Sequence, residues 1–396
     1  MNLLVPLAGP FVAGGMPGKD AAATGDKTPF ATAPHARLDT DTHVPGIGFK
    51  AARLGAAARA GLPVLPGWVV PVGLGKSAMG AGVDAIRANG VGAGRVAVLG
   101  QSLDTALAAE LRGVVDVLGG RVIVRSSSQL EGDARWAGAF SSVTGVGPDD
   151  LASAVRSCWA SAFAIDPLRR AEECGLELEA LELAVLVQPE IVPEAGGVAW
   201  VRADGVTVEG VLGHPGALLA GWAEAEALDA GVVANVEALA GRVYAELGDE
   251  LIEWAACDGE VWLLQAGQSA PENHEEPAMP MPVGGLRVAG RPGVPGMAAG
   301  PLVAGRPHQT MASDCRGAIV LVDRPVPALA PLLFGARGVI SQAGAASSHL
   351  AEVARSLGVP MVTGCRAETV TGPSPAPGAW FATINGATGE VVLAPA

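Results

Sequence analysis

Apolar residues recur at helical spacing from Ala51 to Ala60, stop at Gly61, and give way at Trp68 to Val70 to consecutive β-formers. The pattern predicts a helix, a turn and a strand in about twenty residues. Farther on, RVIVRSSS (121–128) reads as a buried strand ending in a polar turn, and Asp149 to Cys174 as one helix. LELAVLVQPEIV (181–192) and VTVEGVLG (206–213) read as strands, and LIEWAACDGEVWLLQA (251–266) as a hairpin about a Cys-Asp-Gly-Glu turn. Between Gln268 and Gly284 the periodicity vanishes into QSAPENHEEPAMPMPVG, an extended, semi-rigid linker by composition. Beyond it, GAIVLVD, GVI, PMVTG and GEVVL are short strands around one helix at Ser348 to Leu357, enough for a second compact unit.

These elements mix as α/β and α+β. The expected organisation is a mostly looped extension over 1–40 with a short strand at Leu3 to Leu7, a larger domain over 41–267, the linker over 268–284, and a smaller domain over 285–396. At 396 residues the chain is long enough for more than one core.

Composition narrows the function classes. A formal net charge of −14 with no cluster of Lys or Arg argues against nucleic acid and anionic membranes as partners. No uninterrupted apolar run reaches the roughly 18 residues of a membrane span, and the start of the chain lacks the basic flank of a secretory signal, so a cytoplasmic protein is expected. The five cysteines never form a CxxC pair, which points to buried, reduced thiols rather than disulfides or zinc.

The stretch GAASSHLAEVARSLGVP (344–360) is the most informative. Ser347 and Ser348 are good helix caps, and Leu350, Val353, Ala354 and Leu357 follow at helical spacing, which places His349 in the first turn. A helix amino end offers unpaired N–H groups and partial positive charge, a site for phosphate that also disfavours imidazolium. A neutral ring nitrogen there can attack phosphorus, and the N–H donors and two serine hydroxyls could hold the product. On local physics alone, a histidine in a first turn is more often a solvated or capping residue.

The same stretch resembles the phosphohistidine motif of the pyruvate phosphate dikinase and phosphoenolpyruvate synthase family, with His349 on the phosphorylated histidine and Arg355 on the motif arginine. RPGVPGMAAGPL (291–302) and INGATGEVVL (384–393) resemble the opening and closing strands of that family's swivelling domain. Upstream, GFKAARLGAAARAGLPVLPGWVV (48–70) is similar to the family's opening, with Lys50 on the phosphate-binding lysine of an ATP-grasp domain. VRSSSQLEGDARWAGAFSSVTGV (124–146) places Arg125 on a phosphate-contacting arginine, whose planar fork suits two oxygens. LIEWAACDGEVWLLQAG (251–267) places Glu253 and Gln265 on residues that hold magnesium and nucleotide, and oxygen ligands are what Mg²⁺ requires. Gln188 falls near the adenine-binding segment, and Glu209 is a further candidate acid of the ATP site. Singly, Lys50, Arg125 and the Glu253–Gln265 pair are more often surface or rim residues; the order of the motifs along the chain gives the resemblance its weight.

The resemblance implies an ATP-grasp-like domain followed by a small β/β/α swivelling domain, with ATP and Mg²⁺ bound by the first. His349 would take the β-phosphoryl group, AMP and phosphate would form, and the phosphoryl group would pass to an acceptor, expected to be a small molecule. Two alternatives stand beside it: a phosphoryl-donating subunit whose acceptor domain is a separate protein, and a degenerate nucleotide-binding protein without catalysis. The second draws on two departures, Leu251 for the family's hairpin aspartate and Gly267 for its arginine. Arg53, three residues after Lys50 and on the same helical face, is expected to supply the charge that Gly267 lacks. Ala345 and Ser347 replace a motif glycine and threonine.

Overall fold

The computed structural model describes residues 3–7, 46–269, 281–372, 376 and 379–396. Most of the expected extension and the centre of the expected linker fall outside the described residues.

Three sheets organise the chain. The first holds β1 (Val5–Pro6), β2 (Trp68–Val70), β3 (Val122–Ser127), β4 (Ser142–Val146) and β5 (Ala184–Pro189), in the order β1-β2-β5-β3-β4 and antiparallel throughout. The second, also antiparallel, holds β6 (Ala195–Arg202), β7 (Gly205–Leu212), β8 (Leu251–Cys257) and β9 (Glu260–Gly267), in the order β7-β6-β8-β9. The third is formed by β10 (Leu286–Ala289), β11 (Arg291–Val294), β12 (Met297–Ala304), β13 (Ile319–Val322), β14 (Gly338–Ser341), β15 (Met361–Thr363), β16 (Trp380–Asn385) and β17 (Glu390–Pro395). Its order is β10-β17-β16-β12-β13-β14-β15-β11, with β12 to β15 parallel.

The helices are α1 (Gly48–Arg59), α2 (Val72–Asn89), α3 (Val91–Leu99), α4 (Thr105–Val117), α5 (Leu151–Ser161), α6 (Ile165–Glu173), α7 (Gly216–Leu219), α8 (Ala230–Leu247), α9 (Ala330–Leu333), α10 (His349–Leu357) and α11 (Glu368–Thr371). Helices α2 to α6 close one face of the first sheet around Val83, Leu111, Val155 and Phe163. A second core, around Leu54, Leu186, Val243 and Trp254, joins α1 and α8 to both of the first two sheets. The third sheet is apolar on both faces, with α10 packed on one through Leu350, Val353 and Ala354. Among the described residues no helix is long and apolar enough to cross a membrane.

Two elements show how local chemistry sets the geometry. Gly48, at the start of α1, has φ +75°, and a Cβ there would lie 2.1 Å from the Ser127 carbonyl oxygen, so only glycine lets the helix begin against the end of β3. In the hairpin β8–β9, Asp258 (φ 54°) and Gly259 (φ 79°) both take the left-handed region, as a two-residue turn with right-twisted strands demands.

The single helix expected from Asp149 to Cys174 is two. Ala164 takes an extended conformation between them, and Pro167 lies in the first turn of α6, where a missing N–H costs nothing. The thiols also differ from expectation. Cys158, Cys315 and Cys365 are buried, but Cys174 and Cys257 are only half-buried, and all five are free.

Candidate active site

A cleft of about 460 Å³ opens where the first two sheets meet and α10 leans in, a size that suits a nucleotide. Lys50, Arg125, Gln188, Glu253, Gln265 and His349 all line it, although they come from α1, β3, β5, β8, β9 and α10.

The cations of the cleft are buried and paired, as long charged side chains must be to lie inside. Lys50, 6% exposed, donates to Glu131 Oε1 at 2.7 Å and to the Ser126 carbonyl at 3.1 Å. Arg125 donates to the Leu264 carbonyl at 2.7 Å and to Gln188 Oε1 at 3.4 Å, and its Nη2 lies 3.8 Å from Glu253. Burial pulls the Arg125 pKa below its ordinary value, against the opposing charges of Glu253 and Glu131. Gln188 in turn donates to the Leu65 carbonyl at 2.9 Å, so the amide holds the guanidinium in place.

Glu253 and Gln265 are directly paired across β8 and β9 and therefore share a face. A carboxylate and an amide oxygen side by side at the cleft wall fit a hard divalent cation that keeps waters and takes its other ligands from phosphates. Among the described residues no three acidic, histidine or cysteine side chains gather into a cluster that could hold a metal ion.

His349 opens α10, its ring against Gly138. That glycine has φ +65°, and a Cβ on it would come within 2.7 Å of His349 Cδ2. On the helix side, His349 Nδ1 lies 3.4 Å from Glu352 Oε2. Burial lowers the His349 pKa, but the hydrogen bond to Glu352 and the charges of Glu352 and Glu253 outweigh it and leave the pKa above the ordinary imidazole value. The neutral ring expected from the helix dipole alone is thus opposed by two carboxylates.

Other predicted residues sit elsewhere. Arg53 is a correction: its Nε donates to buried Asp249 at 2.8 Å and its Nη2 to the Leu247 carbonyl at 2.9 Å, and it does not line the cleft. Glu209 does not line it either. It pairs with Val198 on β6, which pairs on its other side with Glu253, so Glu209 is in the same cross-strand row two strands away. Ser347 and Ser348 are fully buried and are not cleft residues; the Ser348 hydroxyl caps α10 by accepting from the Ala351 N–H at 3.4 Å. Arg355 donates to the Ala346 carbonyl at 2.8 Å and lies over the Trp200 ring, 5.5 Å from its centroid, which ties the histidine helix to β6.

Residues that sequence reasoning passed over complete the seam. Glu352 lines the cleft and stands three positions after His349, a spacing that could have signalled it. Arg170, fully buried, pairs with Asp166 and donates to the carbonyls of Arg135 and Ala137 and, at 3.0 Å, to that of Pro327 beside α9. Ala345, the residue in place of the motif glycine, packs its methyl against Val211 and Leu218. The two departures in the hairpin also prove to be neighbours: Leu251 and Gly267 are directly paired and both line the cleft.

Fold and site together define two units that meet at one cleft, the first built on the two antiparallel sheets and the second carrying His349. Residues 44–221 match the family model described as pyruvate phosphate dikinase, AMP/ATP-binding domain, and residues 315–389 match that of the PEP-utilising enzyme, mobile domain. The two matches span more than half of the chain, which belongs to the pyruvate phosphate dikinase and phosphoenolpyruvate synthase family. A probable phosphoenolpyruvate synthase of Methanothermobacter thermautotrophicus is 25% identical over 300 residues, 61% of this chain and 43% of that protein. The chain thus spans less than half the length of that relative. Among solved structures, D-alanyl-alanine synthetase A of Vibrio cholerae matches at 12% identity and TM-score 0.30, over 55% of this chain and 56% of that one. A biotin carboxylase ATP complex from Campylobacter jejuni matches at 12% identity and TM-score 0.29, over 64% and 56%. At such scores neither bears on the chemistry.

Proposed function

We propose that the chain is an ATP-dependent phosphotransferase of the dikinase type, with His349 as nucleophile and phosphoryl carrier. One observation carries the reading: His349, from the carboxy-terminal unit, lines the same cleft as Lys50 and Arg125, about 300 and 220 positions earlier in the chain.

In this reading Lys50 and Arg125 clamp the polyphosphate. Their present partners Glu131, Glu253 and Gln188 hold them in position, so little reorganisation is needed as charge develops. A ring nitrogen of His349 attacks the β-phosphorus, the bond to the α-phosphate breaks with its electron pair, and AMP leaves. Water removes the terminal group as phosphate. Glu253 and Gln265 would hold Mg²⁺, which when bound supplies Lewis acidity toward the phosphate oxygens. The fully buried Ser348 shapes the amino end of α10, and Arg355 anchors that helix through Ala346 and Trp200. The histidine unit then presents the phosphoryl group to an acceptor, proposed to be a small molecule.

The test is incubation with Mg²⁺ and ATP labelled at the β position. Label should appear on the protein in step with AMP, and His349→Ala should abolish it. Label that stays wholly in solution with no AMP formed would end the proposal. Adding the low-molecular-weight filtrate of a cell extract should discharge the labelled protein; discharge only by the macromolecular fraction would indicate a protein acceptor instead.

A further inference from the structure

We propose that Glu352 is the positioning residue of His349: its carboxylate accepts a hydrogen bond from Nδ1–H, fixes the ring as the Nδ1–H tautomer, and leaves the Nε2 lone pair for phosphorus. This rests on the phosphotransferase reading above and adds a residue and a division of labour to it.

Glu352 is the one charged residue in the run Leu350 to Ala354, whose four other members are fully buried against the third sheet. A glutamate in such a run is ordinarily solvated. Here the side chain is only 12% exposed and faces the cleft, 3.4 Å from His349 Nδ1. An ionised carboxylate has no proton to give, so in this contact the ring nitrogen donates. One turn of helix fixes the pair, since positions three apart lie on the same face. The distance is long for a hydrogen bond, as catalytic contacts often are before substrate arrives. Gly138 limits the ring on the other side, toward Cδ2, the carbon bonded to Nε2.

The step then balances without a proton transfer. The Nε2 lone pair forms the N–P bond, and the P–O bond to the α-phosphate breaks with its electron pair onto AMP. The proton stays on Nδ1. The ring becomes cationic, and the Glu352 carboxylate beside it offsets that charge in a cleft where solvent screening is weak. When the phosphoryl group departs, the N–P electron pair returns to Nε2 and the same tautomer is restored. A carboxylate serves a catalytic histidine in the same way in serine hydrolases, by orientation and charge rather than by taking the proton.

Glu352→Leu removes the acceptor, whereas Glu352→Gln keeps an amide oxygen at nearly the same place. Both are made in the full chain and followed by rapid quench with β-labelled ATP, by equilibrium ATP binding, and by phosphorus NMR of the phosphohistidine isomer. The expected outcome is a loss of phosphorylation rate of roughly 100-fold in Glu352→Leu and roughly 10-fold in Glu352→Gln, within the range that orienting groups contribute. ATP affinity should stay within about two-fold of wild type, and the wild-type adduct should be Nε2-linked, with Nδ1-linked product appearing in Glu352→Leu. A Glu352→Leu protein that keeps the wild-type rate and a pure Nε2 adduct overturns the inference, as does equal loss of rate and ATP affinity. Should Glu352→Leu fail to fold, the near-isosteric Glu352→Gln decides by the same readouts. Absence of label on the wild-type protein would instead sink the phosphotransferase reading itself.

Discussion

The nucleotide wall of the cleft is tied into two hydrophobic cores and carries its cations already paired. The histidine wall is a single helix of nine residues that leans on the cleft across a thin seam. Among the described residues the contacts across the seam include the Arg170 bond to the Pro327 carbonyl, the Ala345 methyl against Val211 and Leu218, Arg355 over Trp200, Arg324 donating to the Trp222 carbonyl at 2.8 Å, and the Arg291 to Glu224 pair at 2.9 Å, which is half exposed and contributes little. In the phosphotransferase reading proposed above, one wall is preorganised and the other has to leave it, since a phosphoryl carrier visits two sites. Damage to the seam should therefore spare nucleotide binding and stop phosphoryl transfer.

Arg170→Met probes this contrast most severely. Its guanidinium satisfies the carbonyls of Arg135, Ala137 and Pro327 and the carboxylate of Asp166, which is half of a buried ion pair. Removing one member of such a pair costs about 3–5 kcal/mol, because the other is left buried and uncompensated. Burial already raises the Asp166 pKa despite Arg170, so without Arg170 the acid should take up a proton and soften the loss. Denaturant unfolding should show the destabilisation, and phosphorylation of His349 should fall far more than ATP affinity. An equal fall in both would mean that the two walls are one cooperative unit and would break the comparison.

Gly138→Ala is a finer probe of the same seam. The new methyl would enter the space of the His349 ring, and φ +65° is strained for alanine, at a cost on the order of 1–3 kcal/mol. The ring must shift while the nucleotide wall stays put. A drop of roughly 10-fold in phosphorylation is expected, since small displacements of reacting groups are costly, with ATP binding unchanged. An unaltered rate would show that the docked ring position is not the reactive one.

The same contrast explains what could be read from the sequence. The histidine helix lies in one contiguous stretch, with its cap at Ser348 and its stop at Gly358, and local rules find it. The hairpin of β8 and β9 was legible for a similar reason, through the Asp258-Gly259 turn. Strand β6 was missed because AGGVAWVR is buried for most of its length, which removes the alternation that marks a strand. Helices α2, α4 and α8 are rich in Ala, Gly and Val, which blurs the apolar stripe, although Asp104 and Asp229 cap α4 and α8 and could have marked their starts. Site geometry is less legible still. Arg53 shares a helix with Lys50, yet Asp249, nearly 200 positions later, decides where its charge goes. That Leu251 and Gly267 form one cross-strand pair required the register of the hairpin.

The smallest effect sharpens the electrostatic side of the comparison. The groups that face the His349 ring are Glu352 from its own helix, Glu253 from β8 and Lys50 from α1, with Arg125 and Glu131 behind the last two. Burial favours the neutral ring and Lys50 does too, but the hydrogen bond and the two carboxylates prevail, so the folded pKa lies above the imidazole reference of about 6.5. The sign follows: protonation stabilises the docked arrangement, a contribution complete below the unfolded-state pKa and lost as pH rises through the folded value. In the proposed reaction, the neutral ring that would attack phosphorus is therefore the majority form on the alkaline side of that raised pKa. Proton NMR titration without Mg²⁺ or nucleotide, with the His349 resonance assigned by its loss in His349→Ala, should give a midpoint above about 6.5. In Glu352→Gln the midpoint should move down, since the charge of one carboxylate is gone while Glu253 remains. A wild-type midpoint at or below that of a free imidazole would mean that desolvation wins at this wall, and that the ring stands neutral in the cleft without help from either acid.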